Sequence, residues 1–585
     1  MKQRKKELGL YNILGMGKGH IAVVLTIETV YIAVLGIGGG IVTGLIFHKL
    51  VSLILHQMLG MPVPLGFYIS WDGMAWTAAL FLFLLGVTLL ANLNKVRVSK
   101  PIELLRGGNV GEREPKTKWF MTLLGIVTLG AGYYIAVTTR TGVDAIVTYF
   151  LAVFLVIIGT YCLFTAVSIF ILKALRKNKK FYYQTGHFIG VSGMLYRMKQ
   201  NAVGLANICI LCTMVMVMLS GTLSLYLGTA NAVHEQYPGD VNISVSYFPQ
   251  PVAGEEDWRP FDPDAMLAAQ TGFIESQGFH VENVRTSCRM GFGAGKVSDG
   301  VYTTDRFNDA AKGGIVMITV ITEANYTATT GETLGLAPGE VAAYGVRGDT
   351  LTIRWTVDSV GTELGESSFP IAKHLSRNPA FDPQITELVT IVVPDDAAIN
   401  DIWAKQAEVY PDDYSSMRWF SYLDVNAAEE ELEELQTRYY DAIEDGSFYE
   451  GTGSWKRCIW NLRSEGEADA YGLAGGFLFL GLFLGFIFLL ATVLMIYYKQ
   501  ISEGYEDKDR FEIMQKVGLS RGEVKRSIHS QILMVFFLPI VVASIHIAFD
   551  FNMVEKLLTL FYIHNTALTA LCTLGTVLVF FIAYG

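Results

Sequence analysis

The chain has 585 residues, of which 51% are apolar and only 17% charged, and its mean hydropathy is +0.36. A soluble globular chain carries about 25% charge, so a large soluble enzyme is excluded, and the apolar residues gather in stretches of about 20, the length that crosses a bilayer. The net charge of −10 conceals a strong asymmetry along the chain, and six cysteines make neither a disulfide scaffold nor a spaced metal motif.

The pattern predicts a polytopic α-helical membrane protein of about eight spans with one large mixed α/β extracellular domain. In chain order the spans read 21–47, 71–91, 119–138, 145–170, 203–227, 472–497, 528–548 and 562–583. Each must be helical, because hydrocarbon offers exposed backbone N–H and C=O groups no partner. Pro539 and His546 interrupt the seventh, and Thr569, Thr573 and Thr576 soften the eighth. One of these two has the alternative of lying along the interface. The resulting order is a cytoplasmic segment 1–20, a membrane region 21–227 with five spans, an extracellular domain 228–470, and a membrane region 471–585 with three spans.

Charge sets the orientation. Segments 1–20, 95–118, 171–202 and 499–527 together hold 26 of the 45 basic residues and only 10 of the 55 acidic ones. They fall on one side of the eight spans, which the positive-inside rule makes cytoplasmic, with both termini. Segment 229–470 holds 16 basic and 40 acidic residues, a net charge of −24, and lies outside. Its runs 241–247, 314–321, 351–357 and 387–393 read as strands by alternation and β-branching. Runs 262–277 and 396–408 read as helices, with Asp395 and Asp396 placed to cap the second. Stretch 427–445 reads as a helix with Leu432, Leu435, Tyr439 and Ile443 on one face, and Glu429, Glu430, Glu431, Glu433 and Glu434 as a solvated face or a capture surface for cationic peptides.

Two cytoplasmic segments resemble each other. Setting Gly15 against Gly518 aligns Leu8 with Phe511, Leu10 with Ile513, Leu14 with Val517, Met16 with Leu519, Lys18 with Arg521 and Gly19 with Gly522. Each segment leads into a span. Leu10, Ile13 and Leu14 share a helical face, as do Ile513, Met514 and Val517. The expectation is a short amphipathic helix ending at a glycine cap, Gly15 or Gly518, then a turn and the next span. Such a helix inserts an apolar knob into a partner protein, or packs on lipid headgroups. The run Gly15–His20 lacks the GxxxxGK[ST] spacing of a phosphate loop.

On these residues the chain resembles the FtsX-like permeases of ATP-binding-cassette systems. Residues 4–16 (RKKELGLYNILGM) look like the family's coupling segment, and the second copy, within 506–526, surrounds Gly518. Residues 196–208 (YRMKQNAVGLANI) are similar to the family's entry into the span before the large outer domain. The likeness is greatest to the bacitracin and antimicrobial-peptide resistance type from Gram-positive bacteria, whose pattern is ten spans with one large extracellular domain. Against that pattern the sequence starts late, lacking the first two spans. The resemblance implies a cytoplasmic ATPase dimer that binds ATP-Mg, no cofactor and no covalent chemistry in this chain, and no nucleic acid. It also implies peptide antibiotics or their lipid-linked cell-wall targets as ligands, often with a membrane histidine kinase. Leu10, Leu14, Gly15, Ile513, Val517 and Gly518 are then the ATPase-coupling candidates, and Lys18 and Arg521 can pair with acidic residues of the ATPase or serve only as positive-inside charge. The competing function is an FtsX-like mechanotransmitter or signalling scaffold that controls a cell-wall hydrolase, a lipoprotein or a kinase.

Other residues have plainer readings. Glu28 lies early in the first span, where a charge is costly unless paired or near the interface. No other carboxylate lies deep in a span with a matching partner, which leaves an ion-driven transporter little support. Gly481 and Gly485 form a GxxxG pair that permits close helix packing, and glycines 36 and 38–40 can let the first span bend. Cys288 and Cys458 stand on an oxidising side where a disulfide is permitted.

Overall fold

A computed structural model describes residues 7, 10–12, 14–59, 66, 69–98, 119–139, 144–177, 179–182, 185–251, 257–305, 314–357, 361–376, 378–379, 387–410, 414–444, 451–516, 518 and 520–584. The chain forms two compact units, residues 1–119 with 165–202, and residues 120–164 with 203–585.

In the first unit, α1 (Lys18–Met58) and α2 (Trp71–Val98) pack at one end around Ile21, Leu25 and Val96, with Tyr11, Met16, Leu89 and Leu93 against them. Their remaining apolar residues, such as Ile32, Leu35, Ile46, Phe83 and Leu90, are exposed, as lipid-facing side chains are. At 1.5 Å per residue the 41 residues of α1 reach ~60 Å, twice a hydrocarbon core. The helix therefore continues well past residue 47, and it runs unbroken through glycines 36–40.

The second unit contains α3 (Trp119–Thr138, from Phe120), α4 (Asp144–Cys162) and most of α7 (Thr185–Gln236). Between α4 and α7 come a π-helical turn (Leu163–Val167), α5 (Ser168–Lys177) and α6 (Lys179–Tyr182). After the outer domain come α12 (Arg463–Lys516), α13 (Arg521–Thr559) and α14 (Thr566–Tyr584). Among the described residues seven helices are long and apolar enough to cross a membrane: Lys18–Met58, Trp71–Asn94, Trp119–Thr138, Ile146–Lys177, Ala202–Gln236, Arg463–Ile501 and Phe537–Thr559. The last expected span is a shorter apolar helix, Thr566–Ile582. It cannot begin at residue 562, because the chain turns there: Tyr562 adopts φ +60° and the Ile563 N–H closes on Leu558 O at 3.2 Å. Pro539 lies inside α13 without ending it.

Between α7 and α12 the described residues form a ten-stranded sheet: β1 (Val241–Tyr247), β2 (Val281–Ser298), β3 (Val301–Thr303), β4 (Ile315–Thr322), β5 (Val341–Tyr344), β6 (Thr350–Thr356), β7 (Glu363–His374), β8 (Glu387–Val393), β9 (Met417–Val425) and β10 (Arg457–Leu462). The order is β10-β1-β9-β2-β3-β6-β7-β5-β8-β4, and β4 also pairs with β2. Strands β2 to β8 thus close into a barrel, and β9, β1 and β10 extend the sheet from β2. Closure removes the free edge that an open sheet would present. Inward residues Phe292, Ile318, Ile353 and Ile391 fill the barrel, covered by Ile402 and Trp403 of α10 (Asp396–Val409). The extension has its own core. Ile243, Trp419, Leu423 and Trp460 pack against Met266 and Ile274 of α8 (Pro263–Ser276) and Leu432, Leu435 and Tyr439 of α11 (Glu429–Glu444). The ninth helix, α9 (Glu323–Thr330), follows β4 directly.

Local chemistry explains these boundaries. Asp262 and Asp395 cap α8 and α10 by accepting from the N–H groups of Ala265 and Ala398 at 3.0 and 2.9 Å. Cys288 and Cys458 form no disulfide. They stand on one cross-strand row, Cys458–Val245–Trp419–Cys288. Three strand spacings separate them by ~14 Å, twice the reach of a disulfide.

Candidate functional site

The amino-terminal repeat folds as a capped elbow. Gly15 has φ +97°, its N–H donates to Asn12 O at 3.3 Å, and the Met16 N–H donates to Tyr11 O at 3.0 Å. This is the paired hydrogen-bond pattern of a Schellman cap. The apolar contact that accompanies such caps is present, since Tyr11 and Met16 pack on the same cluster. Leu10 and Leu14 point away from it and are 50% and 73% exposed. The elbow is thus anchored on one side and offers an apolar face on the other. Lys18 donates to Arg97 O at 2.8 Å, so its ammonium caps the carboxyl end of α2.

The second copy shares the left-handed glycine. Gly518 has φ +112° and its N–H donates to Gln515 O at 3.1 Å. Ile513 is 61% exposed, and Arg521, exposed as well, opens α13. Val517 lies outside the described residues. The helix before Gly518 is not a separate short one, as expected from the sequence, but the last turns of the 54-residue α12. The polar run after residue 499 contains no proline and many Glu, Lys, Arg and Gln residues, which favour a continuing helix.

A second feature lies at the outer ends of the helices. A cleft of about 1670 Å³ opens between the outer domain and the membrane helices of the second unit. One wall comes from β2 (Arg285, Ser287, Arg289) and α9 (Asn325), the other from the end of α7 (Asn231, His234, Glu235) and the turn Tyr562–Thr566. The Arg289 guanidinium lies 4.4 Å over the Phe420 ring, and Ser287 Oγ lies 3.2 Å from the Tyr422 hydroxyl. Asn325 accepts from the Cys288 N–H and donates to Cys288 O, both at 3.1 Å, which stitches α9 to β2. Among the described residues no cluster of three or more His, Cys, Asp or Glu side chains is placed to hold a metal.

A third cluster is buried among the helices. The two ring nitrogens of His546 are engaged by the Tyr133 hydroxyl at 2.6 Å and Thr160 Oγ1 at 3.0 Å. Tyr133 also stacks on Phe549, ring centroids 4.0 Å apart. Asn552 donates to Val137 O at 2.8 Å and Lys556 donates to Thr139 O, so α13 satisfies the last carbonyls of α3. Asp550 Oδ2 is buried without a hydrogen-bond partner among the described residues. It lies inside α13, beyond the end expected for that span.

Residues 1–99 and 482–585 match the FtsX-like permease C-terminal family. Each matched stretch contains one of the two elbows. Over 558 residues the chain is 27% identical to the ABC transporter permease protein YxdM of Bacillus subtilis, covering 94% of this chain and 80% of that one. It is 23% identical over 567 residues to the Bacitracin export permease protein BceB of Halalkalibacterium halodurans, and 21% over 560 residues to that of Bacillus subtilis, covering 93% of this chain and 80% of the relative in both cases.

The likeness to the FtsX-like permeases lies at both ends of the chain. Its relatives support the role of an ABC-transporter permease subunit, and its seven candidate spans make it a multi-pass membrane protein. Within this permease the repeat was legible, because two glycines in like surroundings align without gaps. The cleft was not, because its walls come from residues about 330 apart in the chain. His546 was visible as an ionisable residue in a span, but its partner Tyr133 is 413 residues away.

Proposed function

We propose that this permease couples ATP hydrolysis by a separate cytoplasmic ATPase dimer to movement of its spans and extracellular domain, in sensing, export or target protection against bacitracin-like antimicrobial peptides. The observation that carries the reading is the pair of elbows, each with an exposed apolar residue one turn ahead of a left-handed glycine. In this reading both elbows and both termini are cytoplasmic, and ATP-Mg binds only on the partner. Leu10 and Leu14 enter one ATPase groove, and Ile513 and Val517 the other, with Arg521 beside acidic residues of the partner. Lys18 stays with α2. The cleft is larger than the 300–1,000 Å³ of ordinary small-molecule pockets, a size that suits a peptide antibiotic or its complex with a lipid-linked cell-wall precursor. The relatives named for bacitracin export support this ligand class. A membrane histidine kinase is the further partner, and surrounding lipids contact the exposed faces of α1 and α2.

The test is ATP hydrolysis by the ATPase encoded beside this permease, with and without the permease in lipid nanodiscs. Leu14→Asp places an unpaired carboxylate in an apolar contact. It is expected to weaken association by ~30-fold or more, the effect of losing a contact worth ~2 kcal/mol, with membrane insertion unchanged. Association retained at full strength sinks the assignment.

A further inference from the structure

At the junction of the long helices with the outer domain, one side chain meets four partners. Arg463, the first residue of α12, donates from Nε to Tyr237 O at 3.0 Å and from Nη2 to Pro238 O at 2.8 Å. Its Nη1 pairs with Asp240 at 2.9 Å and its Nη2 reaches Asp424 at 3.5 Å, and the side chain is only 20% exposed. Tyr237 and Pro238 are where the chain leaves α7, Asp240 leads into β1, and Asp424 lies on β9. The Arg463 N–H also donates to Asp240 O at 2.9 Å, so the β1–β10 ladder continues to the start of the helix. Arg285 of β2 joins the cluster, donating to Pro238 O at 2.5 Å and lying 3.8 Å from Asp424. One turn into α12, a Cβ on Gly466 would come within 2.3 Å of the Tyr237 ring, so the exit from α7 lies directly against α12.

We infer that Arg463 is the positioning residue that fixes the outer domain to α12 and carries displacement of that helix to the β2 wall of the cleft. The inference rests on the reading of the Gly518 elbow as the ATPase-facing end of α12. That helix is unbroken over 54 residues, ~80 Å, from Arg463 to the elbow. A movement at one end reaches the other, and the four-residue exit from α7 is then either a hinge or a rigid joint. A planar guanidinium whose donors are divided among two backbone carbonyls and two carboxylates makes it rigid, because the fork fixes directions that a point charge leaves free. Arg285 and Pro238, both tied to this cluster, also line the cleft, so the joint sets where the cleft's wall stands.

The test places spin labels at the exposed positions Ala230→Cys on α7 and Glu430→Cys on α11, in the permease–ATPase complex in nanodiscs. The native thiols are buried or half-buried, and the chain without added cysteines supplies the background. Without nucleotide, Arg463→Gln is expected to widen the distance distribution at least twofold. On ATP binding the shift in the mean distance seen in the parent chain is expected to vanish in the variant, while ATP hydrolysis continues. Arg463→Lys keeps the charge but not the fork and is expected to widen the distribution by less, and it decides the question should Arg463→Gln fail to insert. An unchanged width and an unchanged ATP shift in the variants overturn the inference. A parent chain that shows no ATP shift counts against the coupling reading instead, and the width comparison still decides the role of Arg463.

Discussion

Glu323, the first residue of α9, accepts from three successive backbone N–H groups, those of Leu334 at 2.7 Å, Gly335 at 2.5 Å and Leu336 at 3.0 Å. The Gly335 hydrogen bond, helped by those of Leu336 and Leu334 and opposed by desolvation, holds the carboxyl below its ordinary range. The sign of the pH effect follows. A depressed carboxyl stabilises the fold at pH values above the unfolded range of ~4.3, and that contribution falls as pH drops and is gone below the folded value. Glu323→Gln is therefore expected to loosen the 331–340 loop at pH 7, raising amide exchange at Leu334–Leu336 several-fold. The difference in thermal stability between the parent chain and Glu323→Gln should shrink as pH falls below ~4. A gap that stays constant from pH 7 to pH 3 would show that the carboxylate's charge does not hold this loop, which adjoins α9 at the cleft's wall.

At the scale of elements, α7 and α12 are joined through glycine. A Cβ on Gly481 would meet Thr222 Oγ1 at 2.6 Å, whereas one on Gly485 would meet Leu219 and Val215 at an ordinary 3.5 Å. Thr222 Oγ1 is held by Met218 O at 2.8 Å and has little room to give way. Gly481→Ala should therefore cost ~1–3 kcal/mol as overpacking, while Gly485→Ala should be nearly neutral. Thermal unfolding in nanodiscs reads the difference, and equal effects would mean that the two helices are not in close contact there. Elements of this kind were legible where local pattern and burial agree. Strands β1, β4, β6 and β8, helices α8, α10 and α11, and the Asp395 cap follow from alternation, helical spacing and capping chemistry alone. Strand β2 was not read, since its run VENVRTSCRMGFGAGKVS mixes charges and glycines, and residues 284–289 of it line the cleft. Strand β7 was missed because it is mostly exposed and contains Pro370. Strand β9 was missed although Met417, Trp419, Ser421, Leu423 and Val425 alternate inward. Helix ends were misplaced for a different reason: a hydropathy window marks the most apolar stretch, whereas α1, α7 and α12 continue past it as unbroken helices.

At the scale of the whole molecule, charge is divided between its parts. The segment 229–470 carries a net −24, and on α11 Glu429, Glu430, Glu431, Glu433 and Glu434 are exposed. Glu431 closes the helix's amino terminus by accepting from the Ala428 N–H at 2.8 Å, so part of this cluster serves the helix itself. The cleft wall, in contrast, presents Arg285 and Arg289 from β2. A cationic peptide is thus attracted to the domain as a whole but meets basic groups at that wall, so the acidic surface governs encounter and not residence. Glu433→Gln with Glu434→Gln, two exposed positions, is expected to lower the association rate of a cationic peptide antibiotic about twofold at low salt while leaving its dissociation rate unchanged. Raising salt from ~50 to ~300 mM shortens the Debye length to several ångströms and should lower the parent chain's association rate further still. Surface-binding kinetics on nanodisc-embedded permease measure both. An association rate indifferent to salt and to the two substitutions would mean that the acidic surface acts through solvation and repulsion from anionic headgroups, and that capture depends on the cleft alone.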